Sequence, residues 1–130
     1  MNASTPSNEP YACRFHLDAL TTRQAQLGRP YLEFLRVPAL SAGLYVLSAG
    51  ATDRQKPHSE DEVYVVMSGR GRFRAGDEDR EVGAGEVIYV RRGVEHRFHA
   101  VEAELRVLVL FAPAEYSRAD SELGSTSAAG

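Results

Sequence analysis

The chain has 130 residues, of which 43% are hydrophobic and 25% are charged, a composition typical of one globular domain. A net charge of −3 gives no reason to expect nucleic acid or an anionic membrane as partner. No apolar run approaches the roughly 18 residues of a membrane span, and the single cysteine, Cys13, excludes an internal disulfide framework. We therefore expect a cytoplasmic protein in which Cys13 is a structural or surface thiol.

The N-terminal third predicts one helix and two strands. Residues 1–10 are rich in Ser, Thr, Asn and Pro and predict a mobile tail. A short helix is predicted over Asp18–Leu27, with Asp18 as its N-cap and a glycine and a proline after its end. Tyr31–Val37 and Gly43–Leu47 are strand candidates because they are rich in aromatic and aliphatic residues. Tyr45 is expected to face the interior. Three leucines could form the buried stripe of the helix: Leu17, Leu20 and Leu27.

A dense series of short strands separated by Gly-containing turns follows. The predicted strands are Val63–Met67, Gly71–Ala75, Arg80–Val82, Glu86–Val90, a segment that holds His96 and Phe98, and Leu105–Phe111. Because Leu105–Phe111 is apolar on both faces, we expect that strand to be covered on two sides. The pattern predicts an all-β barrel or sandwich. Residues 117–130 predict a flexible tail, so residues 11–116 form the single domain.

Three side chains with metal-binding chemistry lie among these strands. His58 precedes Glu62 by four residues, and His96 follows a later strand. Imidazole and carboxylate together suit one divalent transition metal such as Fe, Mn, Ni, Cu or Zn. Residues four apart on an extended strand are separated by roughly 13 Å, so residues 59–61 must loop for both side chains to reach one ion. Pro57 and the β-branched run after the carboxylate argue against a helix here.

These spacings resemble the two sequence motifs of the cupin superfamily. The first motif, Gly-x5-His-x-His-x3-Glu-x6-Gly, is matched over Gly50–Gly69 with every spacing kept, but Lys56 replaces the first histidine. The second motif, Gly-x5-Pro-x-Gly-x2-His-x3-Asn, is matched over Gly85–Ala100. Arg91 and Ala100 replace its proline and its asparagine. Arg91 is expected to be a rim or interface residue.

The resemblance covers most of the chain, from Gly43 to Pro113, and implies a small single-domain cupin. Its fold would be one cupin jelly-roll β-barrel with a short N-terminal helix, since the sequence has no internal repeat. The resemblance also implies that His58, Glu62 and His96 are the metal ligands, a 2-His-1-carboxylate set with open positions. The amide oxygen of Gln55 could be an additional, weak ligand.

Four side chains are candidates for a substrate pocket beside this site. Lys56 is either a solvated rim residue or a cation that pairs with an anionic ligand, because a protonated lysine has no lone pair for a metal. Tyr64 lies two residues after the ligand carboxylate on the same strand face. It either packs in the core or donates its hydroxyl to a ligand. Phe98, in phase with the second ligand histidine, and Tyr45 are expected to wall the pocket.

Four other polar residues are expected to lie outside the site. Glu60 and Asp61 fall in the turning loop and are expected to face solvent. His99 is three residues after the second ligand histidine and should point to the opposite face of its strand. His16 precedes the barrel and is predicted to be a surface residue.

Three functions stay open at this point. The first is a metal-dependent enzyme, dioxygenase- or isomerase-like, that acts on a small chelating molecule. The second is a non-catalytic module that binds a small ligand or a metal, since one fold can host both. The third is a metal-free barrel in which Lys56 fills the ligand position. The resemblance further implies a homodimer, for which Tyr31–Val37 and Leu105–Phe111 are either the interface or internal core.

Overall fold

A computed structural model describes residues 11–116, so the tails predicted for residues 1–10 and 117–130 lie outside the described residues. The chain is mostly β with one short helix, as the sequence predicts. The elements are α1 (Leu17–Leu27), β1 (Tyr31–Val37), β2 (Leu40–Leu47), β3 (Asp61–Ala75), β4 (Glu78–Gly83), β5 (Val87–Val90) and β6 (His96–Ala112). Within residues 11–116, no helix is long and apolar enough to cross a membrane.

The six strands join one antiparallel sheet in the order β1-β2-β6-β3-β4, with β5 beside β3. The first half of β3 pairs with β5 and its second half pairs with β4, while β6 pairs along both halves. Irregular register between Val66 and Arg72 divides the two halves. Bulges of this kind let one strand contribute to both layers of a double-sheet fold. The cupin jelly-roll barrel expected from the sequence is therefore confirmed.

Two long strands replace four of the predicted short ones. The turn expected at Ser68-Gly69 is instead a bulge within β3, where Gly69 has a φ of 99°. A Cβ atom on Gly69 would lie 2.1 Å from the carbonyl oxygen of Glu104 on β6, so the close approach of the two strands requires glycine here. Likewise, β6 runs unbroken from His96 to Ala112. The extended pairing between β3 and β6 overrides the local turn signals.

The main core fills the barrel interior and consists of buried aromatic and aliphatic side chains. Along β6, residues 105, 107, 109 and 111 are fully buried, whereas Leu110 on the other face is exposed. The prediction that Leu105–Phe111 is covered on both sides is therefore wrong for part of the outer face. The helix covers only a patch of that face, where Leu20 packs against Leu32 and Leu44. The other two leucines of the predicted helical stripe are exposed: Leu17 and Leu27.

The strand order separates the two segments considered for a dimer interface. Leu105–Phe111 lies between β2 and β3, which makes it internal. Among the residues described, β1 pairs with β2 alone and leaves one edge uncovered. Of these two segments, Tyr31–Val37 is therefore the one with a strand edge open to a second copy within residues 11–116.

Candidate metal centre

The three predicted ligands meet inside the barrel. His58 lies in the loop before β3, three residues ahead of the strand, Glu62 is the second residue of β3, and His96 is the first residue of β6. One donor atom from each side chain lies within 4.8 Å of the others. The exposed fractions of the three residues are 4%, 1% and 3%. The loop that carries His58 is fixed by Gly93, whose amide donates to the His58 carbonyl at 2.8 Å.

The orientation of the His96 ring is fixed by the backbone. Its Nδ1 atom lies 2.8 Å from the carbonyl oxygen of Val94. A carbonyl oxygen only accepts hydrogen bonds, so Nδ1 carries the proton and Nε2 faces the cluster. Nε2 lies 2.9 Å from Glu62 Oε1 and 3.1 Å from Gln55 Oε1. A neutral His96 would thus aim a lone pair at two other acceptors, and this geometry calls for a cation, either a proton or a metal ion.

Asp53 fixes Gln55, and sequence reasoning missed Asp53. The Gln55 amide nitrogen donates to Asp53 Oδ2 at 2.6 Å, which turns the amide oxygen toward the cluster. The same carboxylate accepts hydrogen bonds from the hydroxyl of Tyr45 at 2.6 Å and the amide of Phe98 at 2.8 Å. No local signal marks Asp53, because a carboxylate in a polar loop is ordinarily exposed.

The carboxylate of Glu62 is buried beside His96. Its Oε1 atom lies 2.9 Å from His96 Nε2. Burial raises the pKa of Glu62, and the hydrogen bond and charge of His96 oppose that rise. Burial lowers the pKa of His96, but Glu62 outweighs it, so the His96 pKa is raised. A positive charge, from a proton or a metal ion, would therefore stabilise the Glu62–His96 pair.

The four predicted pocket residues occupy different places. Tyr64 is fully buried, and its hydroxyl lies 3.0 Å from His96 Nε2 and donates to Gln55 Oε1 at 2.6 Å. Burial raises the Tyr64 pKa well above its usual range. Phe98 is also fully buried and packs edge-to-face against Tyr64 in the core. Tyr45 is buried and lines one cavity, whereas Lys56 is exposed and lines another.

Glu60 corrects a prediction, because it is 1% exposed and does not face solvent. One of its oxygens accepts from the Ser59 hydroxyl, and the other accepts from the amide of Tyr116 at 3.0 Å. The loop before β3 is therefore hydrogen-bonded to the segment after β6, a contact between residues 56 apart in sequence. Asp61 is partly exposed and accepts from the Arg92 amide.

Glu115 is a second buried carboxylate that sequence reasoning missed. Its Oε2 lies 3.7 Å from His58 Nδ1, and both side chains are buried. Burial raises the Glu115 pKa to about 8, with smaller contributions from nearby carboxylates. Its main chain is fixed by the amide donating to Ser41 Oγ and by Arg36 donating to its carbonyl. The Glu115 carboxyl group therefore lies close to the ring of the candidate ligand His58.

The other histidines lie away from the cluster. His99 is partly exposed and pairs with Asp79 at 2.9 Å on the outer face. His16 is exposed and caps α1, since its Nδ1 accepts from the amide of Asp18 at 3.3 Å. The cap was predicted two residues later, at Asp18. Cys13 and Arg91 are both exposed.

Two cavities flank the centre. The first, of about 500 Å³, is bounded by Tyr31, Tyr45 and Glu115 among others. The second, of about 620 Å³, is bounded by the loop of residues 52–57 and by His96. Gln55 and His96 thus belong both to the candidate centre and to the wall of the second cavity.

Comparison with known proteins identifies the family. The family described as Cupin domain matches residues 43–112. The chain is 50% identical to the uncharacterized protein SCO3923 of Streptomyces coelicolor over 101 residues, which are 78% of this chain and 96% of that protein. The chain belongs to the cupin family. Members of this family commonly bind small ligands and often a metal.

Solved structures share the fold at low identity. BH2720 from Bacillus halodurans has a TM-score of 0.68 at 19% identity, covering 84% of this chain and 86% of its own. KdgF from Halomonas sp. has a TM-score of 0.59 at 23% identity, covering 64% of this chain and 76% of its own. A cupin 2 conserved barrel protein from Salinispora arenicola has a TM-score of 0.57 at 18% identity, covering 63% and 73%. These similarities show the fold alone.

Proposed function

We propose that the protein is a metal-dependent cupin in which His58, Glu62 and His96 hold one divalent transition metal. The observation that carries this proposal is the position of His96 Nε2, which faces Glu62 and Gln55 oxygens at 2.9 Å and 3.1 Å. Two imidazoles and a carboxylate suit Fe, Mn, Ni, Cu or Zn and leave open positions for a small molecule. Gln55 is the candidate for a further, weak ligand.

We further propose that the bound partner is a small chelating molecule and that the protein is an enzyme, dioxygenase- or isomerase-like. A bound metal would supply Lewis acidity to the oxygens of that molecule. Tyr64 keeps its hydroxyl proton, because burial holds its pKa well above the usual range. It is therefore suited to donate a hydrogen bond to an oxygen on which negative charge develops.

A non-catalytic binding module is the second candidate. The observation that favours it is that Tyr64 and Glu115, two titratable groups close to the cluster, have raised pKa values. Burial raises the pKa of Tyr64 beyond the physiological range and that of Glu115 to about 8. Neither group is well suited to remove a proton from a bound molecule at neutral pH. Binding without turnover would fit this arrangement equally well.

Metal analysis tests the proposed centre. Protein purified without a chelating tag should contain about one metal ion per chain, and the His96→Ala variant should lose most of it. His99→Ala is the matched control, because it removes an imidazole from the same strand outside the cluster. Full metal content in the His58→Ala, Glu62→Ala and His96→Ala variants would reject the centre.

Turnover then separates the enzyme from the binding module. Metal-loaded protein is incubated with small diketones and aromatic compounds while oxygen consumption and product formation are followed. Turnover that is lost in His96→Ala and kept in His99→Ala supports the enzyme. Saturable binding with unchanged compound and no oxygen uptake supports the module.

A homodimer is part of the proposal. The uncovered edge of β1 supports it, together with the exposed apolar side chains of Val87 and Tyr89 on β5. Sedimentation velocity should give a dimer at micromolar concentration. A monomer at all concentrations would reject the assembly and leave the metal centre untouched. The cytoplasmic location stays a prediction.

A further inference from the structure

The cavity beside His96 carries a marked excess of basic side chains. Its lining includes two carboxylates, Asp53 and Glu95. Asp53 is buried and engaged by the three donors described above. The basic side chains on the same lining are Arg54, Lys56, Arg74 and Arg97.

Arg54 and Lys56 lie in the loop before β3, whereas Arg74 and Arg97 lie on strands, and all four lack an ion-pair partner in the part of the chain that the structure describes. None of them comes within 4.0 Å of a carboxylate oxygen in residues 11–116. The arginines that do have such a partner are Arg36, Arg70, Arg72, Arg80 and Arg106. Guanidinium groups remain charged at any physiological pH, and none of these four cations has a direct ion-pair partner within the described residues.

Two of the four cations are placed directly against each other. Arg74 on β3 and Arg97 on β6 are partners in the antiparallel register. Like charges at opposed positions of a sheet destabilise the pair. The register partners one step further along are Ala75 and His96. The like-charged pair therefore lies one step along the sheet from the candidate metal ligand, with its two side chains on the exposed face and that of His96 on the buried face.

We propose that this cavity binds the anionic group of the small molecule that chelates the metal. The inference rests on the proposed function and names its substrate class, an organic anion bearing a carboxylate or a phosphate. Guanidinium and ammonium groups recognise both through charge-assisted hydrogen bonds. Because His96 belongs to both the ligand set and the cavity wall, an anion held in this cavity would lie beside the proposed metal.

The test measures binding by titration calorimetry. Metal-loaded wild-type protein is titrated with malate, which carries a chelating hydroxy acid and a second carboxylate, and with its neutral dimethyl ester. Malate should bind at least tenfold more tightly than the ester, and its affinity should fall as salt is raised. Equal affinity for the two compounds would overturn the proposal.

Two double variants test whether the cations of this cavity bind malate. Arg74→Gln/Arg97→Gln should weaken malate binding at least tenfold while metal content stays at the wild-type value. Arg70→Gln/Arg106→Gln is the matched control, since it removes two arginines that already have carboxylate partners. Unchanged malate affinity in the first variant, or an equal loss in both, would overturn the proposal.

Inorganic phosphate keeps this inference distinguishable from the metal proposal. Phosphate is titrated into metal-free wild type and the Arg74→Gln/Arg97→Gln variant. Binding that depends on the two arginines supports the anion site even if metal analysis rejects the centre. Phosphate binding tighter than malate binding to the same metal-free protein would identify phosphate as the preferred group, and the reverse would identify carboxylate. Binding of neither anion would overturn the inference.

Discussion

The buried cluster around His96 favours a cation, whereas the cavity beside it carries an excess of basic side chains and favours an anion. Inside the barrel, oxygen atoms of Glu62 and Gln55 face His96 Nε2, an arrangement that favours a cation, either a proton or a metal ion. In the cavity, Arg74 and Arg97 face each other without a carboxylate partner among the described residues and lack negative charge. Charges left uncompensated cost stability in either place. A metal ion in the cluster and an organic anion in the cavity would compensate these two sets of charges.

The largest expected effect comes from the buried cluster. Metal at about 100 times its Kd should stabilise the wild type by ~2.7 kcal/mol, which for a domain of this size raises the melting temperature by roughly 10–20 °C. Glu62→Gln keeps the side-chain shape but removes the charged ligand, so this shift should nearly vanish. Thermal unfolding with and without added metal measures the difference.

The control for that measurement is Glu81→Gln, an exposed carboxylate on β4. It should keep the full wild-type shift. Equal shifts in wild type and Glu62→Gln would mean that the metal stabilises the protein from another site. Glu60 cannot serve as the control, because it is buried and bonded to Tyr116.

The next effect concerns Asp53, which connects the two regions. Its carboxylate accepts from three donors and turns Gln55 toward the cluster. Asp53→Asn replaces one acceptor oxygen by a donor and should lower the free energy of unfolding by about 1–3 kcal/mol. Urea denaturation of the metal-free protein gives that value. Asp77→Asn in the exposed turn after β3 should leave the midpoint unchanged, and equal midpoints for both variants would contradict the role of Asp53.

The sequence predicted the parts of this molecule that depend on local pattern. The clustering of His58, Glu62 and His96 follows from motif spacing, and the limits of β1 follow from an apolar run that a proline ends. The continuity of β3 and β6 did not follow. Gly69 was predicted to lie in a turn, yet it has a positive φ inside β3, which pairs with β6 on both sides of this residue.

Buried carboxylates were the other failure of sequence reasoning. Asp53 binds the amide of Phe98 across 45 residues, and Glu60 binds the amide of Tyr116 across 56. Glu115 is buried in a segment after the last strand. Loop carboxylates are ordinarily solvated, and only the closed barrel brings distant donors to them. No local periodicity carries that information.

A smaller effect is expected from restoring the family pattern. Lys56→His places an imidazole where the first cupin motif has a histidine ligand. Metal affinity should rise, by up to about tenfold or ~1.4 kcal/mol, because a fourth neutral donor is added. Calorimetric titration of the metal measures the affinity.

Lys56→Gln separates charge removal from ligand addition in that comparison. It removes the cation without adding an imidazole and should leave metal affinity within about twofold of wild type, since Lys56 is exposed and outside the cluster. The same gain in Lys56→Gln and Lys56→His would mean that repulsion by the lysine, and not missing coordination, limits metal binding.

The smallest effect tests the charge pattern of the cavity. Arg74→Gln relieves repulsion with Arg97 across the strands and should raise the free energy of unfolding by ~0.2–1 kcal/mol. Arg72→Gln, two residues earlier on the same strand, removes the ion pair with Asp79 and should lower the free energy of unfolding slightly. The same chemical change should thus have opposite signs at two neighbouring positions.

Urea denaturation at low and at high salt measures both variants. The difference between them should shrink as salt is raised, because screening weakens repulsion at one position and attraction at the other. Destabilisation by both variants at low salt would show that Arg74 has a favourable partner in the folded protein. In that event Arg74 would not be an unpaired cation, and the reason to expect an anion beside it would be lost.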